Sequence, residues 1–77
     1  MLNFDKLFDN IRVKLINIRC EKNFSQTELS KLINISQQRI SYYESGRKKI
    51  DLFFLLSCLH VYNISIYDFF KNLQESE

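Results

Sequence analysis

Proline is absent from this chain of 77 residues, and glycine occurs once, at Gly46. So few chain breakers argue against a many-turned β architecture and favour helices joined by short polar turns. Histidine also occurs once, at His60, with no cysteine or carboxylate cluster beside it in sequence, and reads as a surface residue. The two cysteines, Cys20 and Cys58, lack the short spacing of metal ligands. They read as reduced thiols of a cytoplasmic protein, with a disulfide as the alternative, and no metal or cofactor is expected. Long apolar runs are missing too. The stretch Leu52–Leu56 is far too short to cross a membrane, and Met1–Asn10 interrupts its apolar positions with Asp5, Lys6 and Asp9, unlike a secretory leader. With no paired carboxylates, activated nucleophile or ligand cluster in evidence, an enzyme is not expected.

What is present suits one small helical domain. Apolar residues make up 45% of the chain, with 7 Phe and 4 Tyr, enough for a single core within a domain spanning residues 1–77. The net charge is only +2, but its distribution is uneven. Between Ser36 and Ile50 stand Arg39, Arg47, Lys48 and Lys49 against Glu44. From Ile66 onward Asp68, Glu75 and Glu77 oppose Lys71. A basic middle and an acidic end point to a polyanionic partner for the middle.

Periodicity and caps predict five helices. The first runs from about Asp5 to Lys22, with Phe4, Phe8, Ile11, Leu15 and Ile18 on one face. Ser25 caps the second, with Glu28 completing a capping box, Leu29 and Leu32 or Ile33 pointing inward, and an end near Asn34. Ser36 caps the third, which continues to about Glu44 and stops at Ser45-Gly46. Ile40 and Tyr43 are its core anchors. Asp51 caps the fourth, with Leu52, Leu55, Cys58, Leu59 and Tyr62 inward. Ser65, followed by Asp68, caps a short fifth helix through Phe69, Phe70 and Leu73. Only Ile33-Asn34-Ile35-Ser36 separates the second helix from the third, which sets the two at a steep angle, as in a helix-turn-helix at about residues 25–45.

The stretch Phe24-Ser25-Gln26-Thr27-Glu28-Leu29-Ser30, continued by Ile33-Asn34-Ile35-Ser36-Gln37-Gln38-Arg39-Ile40-Ser41-Tyr42-Tyr43-Glu44-Ser45-Gly46, resembles the Cro/C1-type (Xre-like) helix-turn-helix regulators. The likeness extends over roughly Ile11 to Phe70. Where that family often has glycine, alanine and proline, this chain has Asn34, Ser30 and Ile50, each physically compatible with the same turns and packing. The resemblance implies an all-α, compact five-helix domain of the lambda-repressor-like type. It also implies a sequence-specific transcriptional regulator, a repressor or autoregulator of double-stranded DNA.

Site expectations follow residue by residue. Gln37 and Gln38 open the third helix, and a glutamine amide matches the donor and acceptor of adenine in the major groove. Ser41 and Tyr42 lie one turn further along the same side and join the base-reading set. Ser25 and Gln26, at the second helix's first turn, suit a phosphate, as do Arg39 and the loop cations Arg47, Lys48 and Lys49. The resemblance further implies a partly buried ion pair between Arg19 and Glu44, structural in role.

Such a small reader is expected to act as a homodimer on a palindromic operator. Helices within residues 51–73 would supply the interface through Phe53, Phe54, Leu56, Val61, Tyr67, Phe70 and Leu73. The alternative is an antitoxin that uses its apolar surface to bind a toxin protein and represses its own operon.

Overall fold

The computed structural model describes residues 3–71 and residue 73. Its elements are α1 (Phe4–Glu21), α2 (Gln26–Ile33), α3 (Gln37–Ser45), α4 (Leu52–Tyr62) and α5 (Ile66–Lys71), with no strand among the described residues. None of these helices is long and apolar enough to cross a membrane.

Three of the four connections use one local code. Asn23, Asn34 and Asn63 all sit in the left-handed region, with φ of 63°, 58° and 58°. Each is followed by an apolar residue and then a serine: Asn23-Phe24-Ser25, Asn34-Ile35-Ser36 and Asn63-Ile64-Ser65. Asparagine tolerates the left-handed turn that ends a helix, and the apolar residue then drops onto the core. Phe24, Ile35 and Ile64 donate their backbone N–H to Arg19, Ser30 and Leu59, closing each helix end. The serine starts the next helix: Ser25, Ser36 and Ser65 accept the backbone N–H of Glu28, Arg39 and Asp68. In the fourth connection, Gly46 takes the left-handed position at φ 84° and Asp51 caps α4 through the N–H of Phe54.

The core draws on every helix. Ile11, Leu15 and Ile18 of α1 meet Leu29 and Ile33 of α2, Ile40 and Tyr43 of α3, and Phe69 of α5. Helix α4 lies at the centre, burying Phe54, Leu55, Cys58, Leu59 and Tyr62. The Tyr43 and Phe54 rings stack with centroids 4.2 Å apart, which fastens α3 to α4. Both cysteines are free thiols. Cys20 is exposed, whereas burial, helped by the charge of Glu44, pushes the Cys58 thiol up to about 12.

The expected register of α4 needs correcting. Phe54, assigned above to an outward interface, is only 2% exposed and is a central core ring. Leu52, assigned to the core, is 68% exposed. Ile50, just before the helix, and Phe54 are both buried in the core, and the inward row of α4 runs through residues 54, 55, 58, 59 and 62. Leu52 and Phe53 are thereby rolled out to solvent. Likewise, Ile33 turns inward and Leu32 outward on α2, and Phe4 is exposed at the very start of α1.

Candidate nucleic-acid interface

The interface is built around a carboxylate that is almost out of water. Glu44, near the end of α3, accepts two hydrogen bonds from Arg19 of α1, Nε to Oε2 at 2.7 Å and Nη2 to Oε1 at 2.9 Å. Side-chain exposure is 13% for Arg19 and 10% for Glu44. Arg19 also donates Nη1 to the carbonyl of Phe24 at 2.7 Å. The hydrogen bond to Glu44 is the main reason the Arg19 guanidinium is held above its ordinary value, against the opposing cost of burial. This two-pronged pair fixes the orientation of the carboxylate, not just its distance.

Glu44 Oε1 accepts a third bond, from Nε2 of Gln26 on α2, at 2.9 Å. A carboxylate can only accept, so the amide of Gln26 must turn its NH2 group toward Glu44. Its Oε1 therefore faces the other way, where Nε2 of Gln37 donates to it at 3.4 Å. The direction of donation is thus passed from a buried charge to the first residue of α3. Gln37 is left with one amide N–H and its carbonyl oxygen for a partner in solvent.

Gln38 is exposed beside it and donates Nε2 to the Tyr42 hydroxyl at 3.1 Å. Ser41 and Tyr42 are half-buried one turn on. The guanidinium of Arg47 lies over the Tyr42 ring, 5.3 Å from its centroid. The four residues expected to read bases therefore lie along the first six positions of α3.

The residues expected at phosphate differ among themselves. Ser25 is occupied by the capping box, its backbone N–H donating to Glu28 at 2.8 Å and its hydroxyl accepting from Glu28 at 3.0 Å. The bond from the Ser25 backbone N–H is the main reason the Glu28 carboxyl is held below its usual range. Arg39 leans toward α4, donating to the Tyr43 hydroxyl at 3.3 Å and standing 3.8 Å from Asp51. Lys49 is drawn back to α1, 3.2 Å from Asp5 and over the ring of Phe8. Lys48 is exposed, with its charge acting on Asp51.

Two residues matter more than their sequence context suggested. Arg12 of α1 donates to the backbone carbonyl of Glu44 at 3.0 Å, placing a cation at the C-terminal end of α3. Its charge reads in sequence as an ordinary polar face, and only the crossing of α1 over α3 gives it this role. Asp51 does more than cap α4. Its Oδ2 accepts from the Tyr43 hydroxyl at 2.7 Å, so one carboxylate joins both ends of the α3–α4 connection. The Phe54 N–H and then the Tyr43 hydroxyl hold the Asp51 carboxyl below its ordinary value, while burial raises the Tyr43 phenol.

Against known proteins, a helix-turn-helix family model matches residues 15–69, from the middle of α1 into α5. The chain belongs to the Cro/C1-type helix-turn-helix family. No curated protein and no solved structure matches it. The match contains Arg19, Gln26, α3 and the basic connection, so the polar chain described above lies inside the helix-turn-helix unit itself. Family membership makes the protein a DNA-binding regulator.

Proposed function

We propose that the protein is a sequence-specific regulator, a repressor or autoregulator, that reads duplex DNA by laying the N-terminal half of α3 in the major groove. The observation that carries this reading is the amide chain from Glu44 through Gln26 to Gln37. An exposed glutamine held in one orientation by a buried carboxylate is costly to arrange for solubility alone. It offers one acceptor and one donor, the pattern that adenine presents through its N6 amine and N7. Lys48, Arg47 and the first turn of α2 then meet phosphates on either side of the groove. Selection of duplexes from a randomised library tests the reading. Enrichment of a short motif supports it, and retention without any motif contradicts it.

A helix of nine residues reads few base pairs, and a second copy on a palindromic site would double the contact. The outward row Leu52, Phe53 and Leu56 of α4 begins one connection away from the end of α3, so pairing through it would carry two reading helices side by side. Tyr67 and Phe70 of α5 add exposed apolar area, while Val61 and Leu73 are half-buried. Sedimentation at micromolar concentration should find a dimer, and a monomer throughout would refute this part.

One observation favours a second reading. Leu32 of α2 joins Phe53, Leu56, His60 and Val61 around an apolar groove of about 340 Å³. A toxin partner seated there would make the protein an antitoxin that also represses its own operon. A neighbouring gene whose product copurifies and competes with self-association would support that reading over the homodimer.

A further inference from the structure

Gln38 and Gln37 are neighbours at the mouth of α3, but their amides are held by different chemistry. The chain behind Gln37 ends in a carboxylate, which accepts only. The partner of Gln38 is the Tyr42 hydroxyl, and a phenol can either accept or donate. Tyr42 is itself well held. Its ring is half-buried, the Arg47 guanidinium covers one face at 5.3 Å, and its carbonyl accepts from the Lys48 N–H at 3.1 Å.

We propose that Tyr42 is a positioning residue for Gln38. It pins the side chain in the groove while leaving the amide free to turn over, so that the base read by Gln38 is accepted as either purine. With Nε2 toward Tyr42, one N–H and Oε1 face outward and match N7 and the N6 amine of adenine. With Oε1 accepting a hydrogen bond from the Tyr42 hydroxyl, both N–H groups face outward and match N7 and O6 of guanine. A pyrimidine in the same place offers neither pair. The inference rests on the reading that α3 enters the major groove, and it extends that reading to a residue outside the Glu44 chain.

The test is enrichment from a randomised duplex library by the full chain and by Gln37→Ala, Gln38→Ala, Tyr42→Phe and Gln38→Ala/Tyr42→Phe. Loss in the two single glutamine variants locates the two base positions. The wild type is expected to enrich adenine at the first and both purines at the second. Tyr42→Phe, which removes only the hydroxyl, should lower the purine preference at the second position by about tenfold and spare the first. The double variant should be no worse than Gln38→Ala, because Tyr42 acts through Gln38. An unchanged thermal midpoint for Tyr42→Phe would exclude a general loosening of the fold. Adenine alone at both positions would overturn the free amide. An unaltered motif in Tyr42→Phe would overturn the positioning role, and so would loss at a third position, which would make Tyr42 a base reader itself. Absence of any motif in the wild type would overturn this inference together with the groove reading. A motif that Tyr42→Phe leaves intact would overturn this inference alone.

Discussion

Helix α3 buries Ile40 and Tyr43 and turns Gln37, Gln38 and Arg39 to solvent, whereas α4 buries five residues and still turns Leu52, Phe53 and Leu56 outward. The first helix is anchored by two residues and steadied by hydrogen bonds from its neighbours. The second is held by packing and has apolar surface to spare. Directional bonds fix where amides point, which suits a partner recognised by donors and acceptors. Unsatisfied apolar area suits a partner recognised by shape and exclusion of water. The two helices are joined by the Tyr43–Phe54 ring stack and by the hydrogen bond from Tyr43 to Asp51.

The largest expected effects come from the groups that hold each helix. Glu44→Ala leaves the Arg19 guanidinium in a largely dry site without its partner, and should cost about 3–5 kcal/mol in denaturant unfolding. It should also free Gln26 and blur the motif at the Gln37 position. Full stability in that variant would break the view that α3 is held by polar contacts. Phe54→Ala, on the packed side, is expected to cost about 3–5 kcal/mol, whereas Phe53→Ala should stay within about 0.5 kcal/mol in the monomer. The same Phe53→Ala change should weaken self-association in sedimentation. Equal stability losses for the two neighbours would show that the register of α4 is misassigned.

Asp51 sharpens the comparison through pH. Its folded-state pKa lies below the ordinary 3.8, chiefly because the Phe54 N–H and the Tyr43 hydroxyl favour the charged form. The stabilisation is therefore complete above 3.8 and lost as pH falls through the lower folded-state value. Asp51→Asn keeps a helix cap but cannot titrate. Thermal midpoints of the two proteins should accordingly differ most near neutral pH and converge in acid. A constant gap down to strongly acid pH would contradict the role given to this carboxylate.

The smallest effect is expected at Lys48. Lys48→Ala should weaken binding to all duplexes alike and reduce the slope of affinity against salt by about one ion. A change confined to one base pair would mean that anchors and readers have been exchanged.

Much of this architecture was legible because its signals are local. The serine caps and the asparagine that ends α2 act within a few residues, and each helix boundary fell within a residue or two of its expected place. The threefold Asn–apolar–Ser pattern is just as local, and stood in the sequence as a complete set of stop, anchor and start signals. The face of α4 was less legible because Leu52–Leu56 is apolar on every side, so periodicity carries no direction there. Helical spacing alone therefore puts Leu52 inward and Phe54 outward, the reverse of what the structure shows. The amide chain was out of reach for a different reason. Gln26 and Glu44 are 18 residues apart, and only the angle between α2 and α3 brings them within 2.9 Å. Arg12 and the second bond of Asp51 depend on the same tertiary crossings.

The claim on which the rest depends is that Gln37 grips an adenine edge in the major groove. In a selected duplex, replacing that adenine with 7-deazaadenine removes the N7 acceptor and leaves pairing intact. The wild type should lose about tenfold in affinity, and Gln37→Ala should be indifferent to the replacement. Equal losses in both proteins, or none in the wild type, would contradict the contact and with it the reading of α3.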